Sequence, residues 1–460
     1  MSSKWNELNI KFARLYKQGE YGAAEKIVDE LIKTAETTFQ DEHPELATSL
    51  NNVAELYKAQ GNYQKAELFH KKALAIREKM LDENHPDLAA SLNNMAVLCK
   101  EQGNFEKAES LHKRALAIKE KVYGQEHPEV ATSLNNMAVM YKAQGNLYHA
   151  EKLYNRSLAI REKTLGQHHP DVATSLNNLA VLYESNGKSA QAESLYKRAL
   201  TIIQKEYGPD HPEVAIAKNN LAALLKSQGK LEEAEPLYKQ ALATKEKIFG
   251  VESLQVTALL TSLAELYKAQ GNTFAAEPLL KRALAVNEKI LGREDPEVGT
   301  LLSHLASLYK TQGKHNEAEA LYKQALDIVE KSFGPSHPNV AVALNSLAVL
   351  YDLQSRYAEA EALYQRSLGI VEKAYGPRHP NVASILYNLA GLCRTRGNFS
   401  EAVTYYKRAL EIREQAFGSA HNSVIAILRI LGRLYKSLGQ ENEGERYLEQ
   451  VRAIRARSQR

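Results

Sequence analysis

HPEVATSLNNMAVMYKAQGNLYHAEKLYNRSLAIREKTLGQH, residues 127–168, is the unit from which the whole chain is built. Its opening pair recurs at His43-Pro44, His85-Pro86, His127-Pro128, His169-Pro170, His211-Pro212, His337-Pro338 and His379-Pro380. The pair is lost at Ser253-Leu254, degraded at Asp295-Pro296, and ends as His421-Asn422. Every step is 42 residues, without insertion or deletion. Self-similarity at one fixed period of this size predicts stacked copies of a single supersecondary unit, a solenoid.

Inside the unit, two apolar stripes have helical spacing. The first runs through Leu134, Met137, Ala138 and Tyr141 and stops at Gly145; the second runs through Leu147, Ala150, Leu153, Tyr154, Ser157, Leu158 and Ile160 and stops at Gly166. Pro128 suits a first helical turn and Glu129 suits the positive end of a helix dipole. One copy therefore reads as helix A, a tight turn, helix B and a short loop. Ala138 and Ala150 let the two backbones approach, and Tyr141 and Tyr154 fill the flanks. One hairpin cannot bury both stripes, so a neighbour must cover the open one.

The positions Leu179, Ala180, Tyr183, Gly187, Ala192, Tyr196 and Ala199 resemble the small-and-large pattern of the tetratricopeptide repeat. That repeat is ordinarily 34 residues long; here helix B runs further. The stretches LNNLAVLY (176–183) and ALAIREK (73–79), with LG followed by HP at 165–170, resemble the kinesin light chain form of the repeat over nearly the whole chain. The resemblance implies an all-α fold, a right-handed α-solenoid (superhelix) of about eleven antiparallel helix-turn-helix hairpins. It also implies a partner-binding scaffold without catalysis whose concave surface is lined by the A helices.

The expected organisation is a degenerate capping hairpin over 1–42, nine repeats over 43–420, and a capping hairpin with a basic tail over 421–460. Gly19, Tyr21 and Ala24 sit one period before Gly61, Tyr63 and Ala66; Lys4, Glu7, Lys11 and Arg14 suit a water-facing end. In the last hairpin Gly432 and Gly444 replace the two packing alanines. No heptad segment precedes the repeats, which favours a scaffold over a motor subunit.

A formal net charge of +4 in 460 residues does not call for nucleic acid. No apolar run approaches the roughly 18 residues of a membrane span, and the polar start MSSKWNELN is no signal peptide. The cytoplasm is the default expectation. Cys99 and Cys393 occupy a slot otherwise held by tyrosines such as Tyr57 and Tyr141, and read as buried packing residues. The His-Pro histidines come one per copy, too far apart to share a metal, and read as loop residues bonding to nearby backbone; no metal or cofactor is expected. No phosphate loop, nucleophile elbow or paired-cysteine motif is present, so no catalytic residue is assigned and the chain is not expected to be an enzyme.

The candidate site is the inner face of the A helices: Asn51, Asn52 and Lys58; Asn93, Asn94, Val97 and Lys100; Asn135, Asn136, Val139 and Lys142; Asn177, Asn178 and Val181; Asn219, Asn220 and Lys226. An amide has two donors and an acceptor and can pair with an extended peptide backbone; the lysines favour acidic ligands. The first asparagine of each pair is assigned to the groove. The second is left open between the groove and a bond locking adjacent repeats. The expected partner is an acidic, or mixed acidic and aromatic, peptide or protein segment lying over residues 44–250, with no nucleic acid, no membrane and no indicated self-association. A cargo adaptor, or a ligand-sensing solenoid acting on a separate effector, are the alternatives.

Overall fold

The computed structural model describes residues 2–17, 21–39 and 43–458, and every regular element among them is a helix. The chain divides into two units, Met1–Ser175 and Leu176–Arg460. The first holds α1 (Ser2–Lys17), α2 (Tyr21–Glu25) and α3 (Val28–Phe39), then the pairs α4/α5 (Pro44–Ala59, Tyr63–Met80), α6/α7 (Pro86–Glu101, Phe105–Tyr123) and α8/α9 (Pro128–Ala143, Leu147–Leu165). Helix α10 (Pro170–Ser185) carries the boundary and pairs in sequence with α11 (Ser189–Tyr207). The second unit continues with α12/α13 (Pro212–Ser227, Leu231–Phe249), α14/α15 (Leu254–Ala269, Thr273–Leu291) and α16/α17 (Pro296–Thr311, His315–Phe333). It closes with α18/α19 (Pro338–Leu353, Tyr357–Tyr375), α20/α21 (Pro380–Thr395, Phe399–Phe417) and α22/α23 (Asn422–Ser437, Glu441–Ser458). Within each unit, each A helix packs on its own B helix, and each B helix on the next A helix, as the period demands.

Each helix starts and stops for a local reason. The His127 ring accepts the Glu129 N–H at Nδ1 (3.2 Å) and stacks on Tyr123 with centroids 4.7 Å apart. This satisfies one orphan donor of the first turn, and Pro128 at the first helical position needs no donor. The irregular copies keep the chemistry with other residues: Asp295 Oδ1 accepts from the Glu297 N–H at 2.8 Å, and Ser253 Oγ from the Gln255 N–H at 3.3 Å. The lost and degraded pairs of the sequence are thus intact helix caps. At the other end, Gly145 takes φ +84°, and the Asn146 N–H reaches the Tyr141 carbonyl at 2.8 Å; that left-handed close suits glycine. Ser355 occupies the same slot with φ +61°, a conformation side chains other than glycine adopt at a cost.

Between A and B, Ala138 and Ala150 are wholly buried, with Tyr154 filling the space beside them. At α22/α23 the approach is tighter: a Cβ on Gly444 would lie 2.7 Å from the Gly432 carbonyl oxygen. At the N-terminal end, Trp5 is buried against Phe39 and its Nε1–H donates to Ser49 Oγ at 2.9 Å. The first segment is a helix followed by two shorter ones rather than a simple hairpin, while Lys4, Glu7, Lys11 and Arg14 are exposed. Gly19 lies outside the described residues. Cys99 and Cys393 are free and buried.

Candidate binding groove

Adjacent residues on a helix point about 100° apart, so the two asparagines of each pair do different things. Asn51 is only 6% exposed. Its Nδ2 donates to Ser91 Oγ of the next repeat at 2.9 Å, and its Oδ1 faces His70 Nδ1 at 2.9 Å. Asn93 repeats this with Ser133 (3.4 Å) and His112 (3.0 Å). The assignment of Asn51 and Asn93 to the groove is therefore corrected: they lock one repeat onto the next. Asn177 and Asn219 have their Oδ1 sealed from solvent, and Asn135 is half-buried.

The second asparagines, Asn52, Asn94, Asn136, Asn178 and Asn220, are half-exposed. Asn52 Nδ2 donates to Asn9 Oδ1 at 3.4 Å, and Asn388 Nδ2 to Asn345 Oδ1 at 2.8 Å, each reaching back one repeat across the surface. Val97, Val139 and Val181 lie half-exposed on the same face. Among the lysines, Lys58 pairs with Glu55, and Lys100 with Glu101 at 2.8 Å. His70 Nε2 also lies 3.4 Å from Glu55. Burial would raise the Glu55 carboxyl, but His70 and Lys58 bring it below the usual range. In the next repeat Val97 stands where Glu55 was, and burial, with Lys100, lowers His112 to about 4.

In the second unit the A-helix face carries a cavity of about 740 Å³ over α12, α14, α16 and α18. Its polar walls include Lys226, Glu265, Lys268, Glu297, His304, Ser307 and Lys310; Phe333, Val342 and Val349 supply apolar surface. Glu265 is held at 3.2 Å by both Lys268 Nζ and His304 Nδ1. Burial alone would raise its carboxyl; His304 and Lys268 outweigh it and bring the group to about 2. Lys268 also donates to Ser307 Oγ at 2.9 Å. Among the described residues, Lys226 and Lys310 have no carboxylate within ion-pair distance. Burial, and then the charge of Lys268, lowers the Lys310 ammonium.

The cavity has a cause in the sequence. In the first unit Arg77 fills the corner between repeats, donating to the Asp87 carbonyl (2.8 Å), Ser91 Oγ (3.0 Å) and Thr48 Oγ1 (3.0 Å). Arg161 does the same with Asp171, Ser175 and Thr132. Six periods after Arg77 and Ser91 stand Val329 and Ala343, and both line the cavity. The short apolar side chains leave the corner unfilled.

Lys268 and Lys310 continue the row of Lys58, Lys100, Lys142 and Lys226 at the 42-residue period, and His304 stands in the slot of Asn220, but sequence reasoning did not join them to Glu265. The signal was there: Glu265 repeats the Glu55 position five periods on, and His304 follows one copy later. Among the described residues, no three His, Cys, Asp or Glu side chains are placed to hold a metal, and no helix is long and apolar enough to cross a membrane.

A tetratricopeptide repeat profile matches residues 8–79, 87–163, 129–205, 171–247, 255–331, 297–373, 353–415 and 381–457. The chain belongs to the tetratricopeptide repeat family. Repeats of this family make protein-interaction scaffolds, and this tetratricopeptide repeat protein is one, an all-α solenoid of stacked helix pairs. No curated protein matches the chain. Among solved structures it is similar to the nearly identical TPR-like repeats of a kinesin light chain from Podosopora anserina, with 29% identity over 45% of this chain and 97% of that one and a TM-score of 0.40. It is similar to BtubC (BKLC) from P. vanneervenii, with 23% identity over 54% and 92% and a TM-score of 0.42. A Rap protein complexed with competence and sporulation factor shares the fold, with 14% identity over 81% and 99% and a TM-score of 0.51.

Proposed function

We propose that this tetratricopeptide repeat protein binds an extended acidic segment of a partner protein, and that the main seat of that segment is the cavity around Lys226, Lys268 and Lys310. The observation that carries the reading is the pair of lysines, Lys226 and Lys310, lining the cavity with no carboxylate within ion-pair distance of either among the described residues. A partly buried cation without a counter-ion attracts an anion more strongly than a solvated one. The half-exposed amides of Asn178 and Asn220 lie on the same face of neighbouring helices and supply backbone-directed donors and acceptors. Phe333, Val342 and Val349 offer contact for an apolar or aromatic residue in the same segment.

The face of the first unit, with Asn94, Lys100, Asn136 and Lys142, is the second seat for the same kind of segment. It is the weaker one because Lys58 and Lys100 already have internal partners. A cargo adaptor and a ligand-sensing solenoid would use the same groove and differ in the occupant.

The test is binding of a fluorescein-labelled Glu-rich peptide to the whole chain by anisotropy. Exchanging Lys226 and Lys310 for Glu should weaken binding by about 2 kcal/mol, roughly 30-fold. Affinity should also fall as salt is raised. Unchanged affinity in the double variant would place the segment elsewhere.

A further inference from the structure

Four successive A helices of the second unit, α12, α14, α16 and α18, carry equivalent last-turn residues Lys226, Lys268, Lys310 and Asp352. The row changes sign at its fourth member. Asp352 is half-buried, and among the described residues no cation lies within ion-pair distance of it. Its carboxyl is raised by burial, with no basic group acting against that rise. The nearest basic residue in sequence, Arg356, is committed to Glu319 at 2.7 Å and Glu359 at 2.5 Å. Lys310 is the mirror case, a half-buried cation acted on by Lys268 and by no carboxylate. Two neighbouring helices thus present opposite charges, Lys310 and Asp352, that the fold itself leaves unmatched.

Neighbouring helices lie roughly 8–10 Å apart, and an extended chain advances about 3.3 Å per residue. A segment laid across the A helices therefore meets a new last-turn residue about every third position.

We infer that the groove selects a segment whose charge reverses along its length, with acidic residues at three-residue spacing facing Lys226, Lys268 and Lys310 and a lysine or arginine at the next step facing Asp352. This rests on the groove reading above and adds polarity and register to it. A uniformly acidic segment would set a carboxylate against Asp352, and like charges in a partly desolvated groove are penalised.

The probes are fluorescein-labelled peptides of about 14 residues on a Gly/Ser background with four charges at three-residue spacing. One has three Glu then Lys, a second is its reverse, a third moves the Lys to the second charged position, and a fourth has four Glu. Anisotropy with the full chain should show the better of the first two binding about tenfold tighter than the third, which has the same composition. In Asp352→Lys the four-Glu peptide should become the tightest. Should that variant fail to fold by circular dichroism, Asp352→Asn should shrink the preference for the terminal lysine to within about twofold. Equal affinity for terminal-lysine and inner-lysine isomers, or an unchanged order in both variants, overturns the polarity and leaves the acidic groove standing. Failure of every peptide to bind overturns both.

Discussion

Asn93 and Asn94 are neighbours in sequence, yet Asn93→Ala should damage the protein and Asn94→Ala should not. Asn93 is 7% exposed and holds His112 Nδ1 at 3.0 Å and Ser133 Oγ at 3.4 Å. His112 is itself buried, and its Nε2 has no partner. Removing the amide leaves a neutral imidazole with neither nitrogen satisfied. An orphaned buried donor costs about 1–3 kcal/mol, and loss of the longer Ser133 bond adds about 0.5 kcal/mol. Alanine's better helix propensity returns about 0.5 kcal/mol. The net is a loss of about 2 kcal/mol, concentrated where α6 meets α7 and α8. Asn94 is half-exposed, and its side chain makes no hydrogen bond among the described residues, so Asn94→Ala should be neutral or slightly stabilising, within about 0.5 kcal/mol. Repeat arrays open locally. The assay is therefore native-state hydrogen exchange on peptides covering α6–α8, alongside urea unfolding. A second arm tests the cause: in a His112→Phe background, the Asn93→Ala penalty should drop below about 1 kcal/mol, because the orphan is gone. Equal exchange in the two single variants, or an undiminished penalty in the Phe background, would refute the assignment of Asn93 to the lock.

Gly444→Ala should destabilise the last hairpin by about 1–3 kcal/mol despite the gain in helix propensity. The added methyl would meet the Gly432 carbonyl and Lys436 Cγ at 2.7 Å, and a melting temperature at or above that of the parent would contradict this. Ser355→Gly should stabilise by up to about 1 kcal/mol, since φ +61° is strained for serine and free for glycine; the check is the urea midpoint. The caps His337 and His379 accept the backbone N–H of Asn339 and Asn381 at 3.2 Å through neutral Nδ1, and burial lowers both rings. A histidine depressed in the fold contributes fully above its unfolded value of about 6.5. The contribution is lost as pH falls through the depressed folded values, because the unfolded chain binds the proton first. Melting temperature should therefore drop from pH 7.5 to 5, and replacing both histidines by Ser, the cap already used at Ser253, should flatten that drop. In the first unit, Lys100→Glu with Lys142→Glu should weaken a Glu-rich peptide less than the Lys226/Lys310 exchange does, as measured by anisotropy.

The helices and their contacts were legible because one side chain per slot decides them. The alanines at 138 and 150, the tyrosines beside them and the glycine stop at 145 each act within one hairpin. The asparagine pair was not legible in the same way. Which of two adjacent residues faces the next repeat depends on where that repeat sits. The clue was the companion serine: Ser91 and Ser133 accompany Asn51 and Asn93 at a fixed offset, while Ala217, Leu259 and Leu301 hold the serine slot in later copies. Ser253 and Asp295 looked like decay because the eye matched letters, whereas the first turn of a helix needs only an acceptor. The cavity escaped because it is defined by what Val329 and Ala343 do not reach.

The corner beside Val329 is a joint assembled with one strut missing. In the first unit Arg77 and Arg161 tie three partners together from within the chain; here the equivalent ties must come from outside or not at all. An occupant of that corner would then brace α16 against α18 as well as being held by them. Ligand engagement would be felt as stiffening of those two helices.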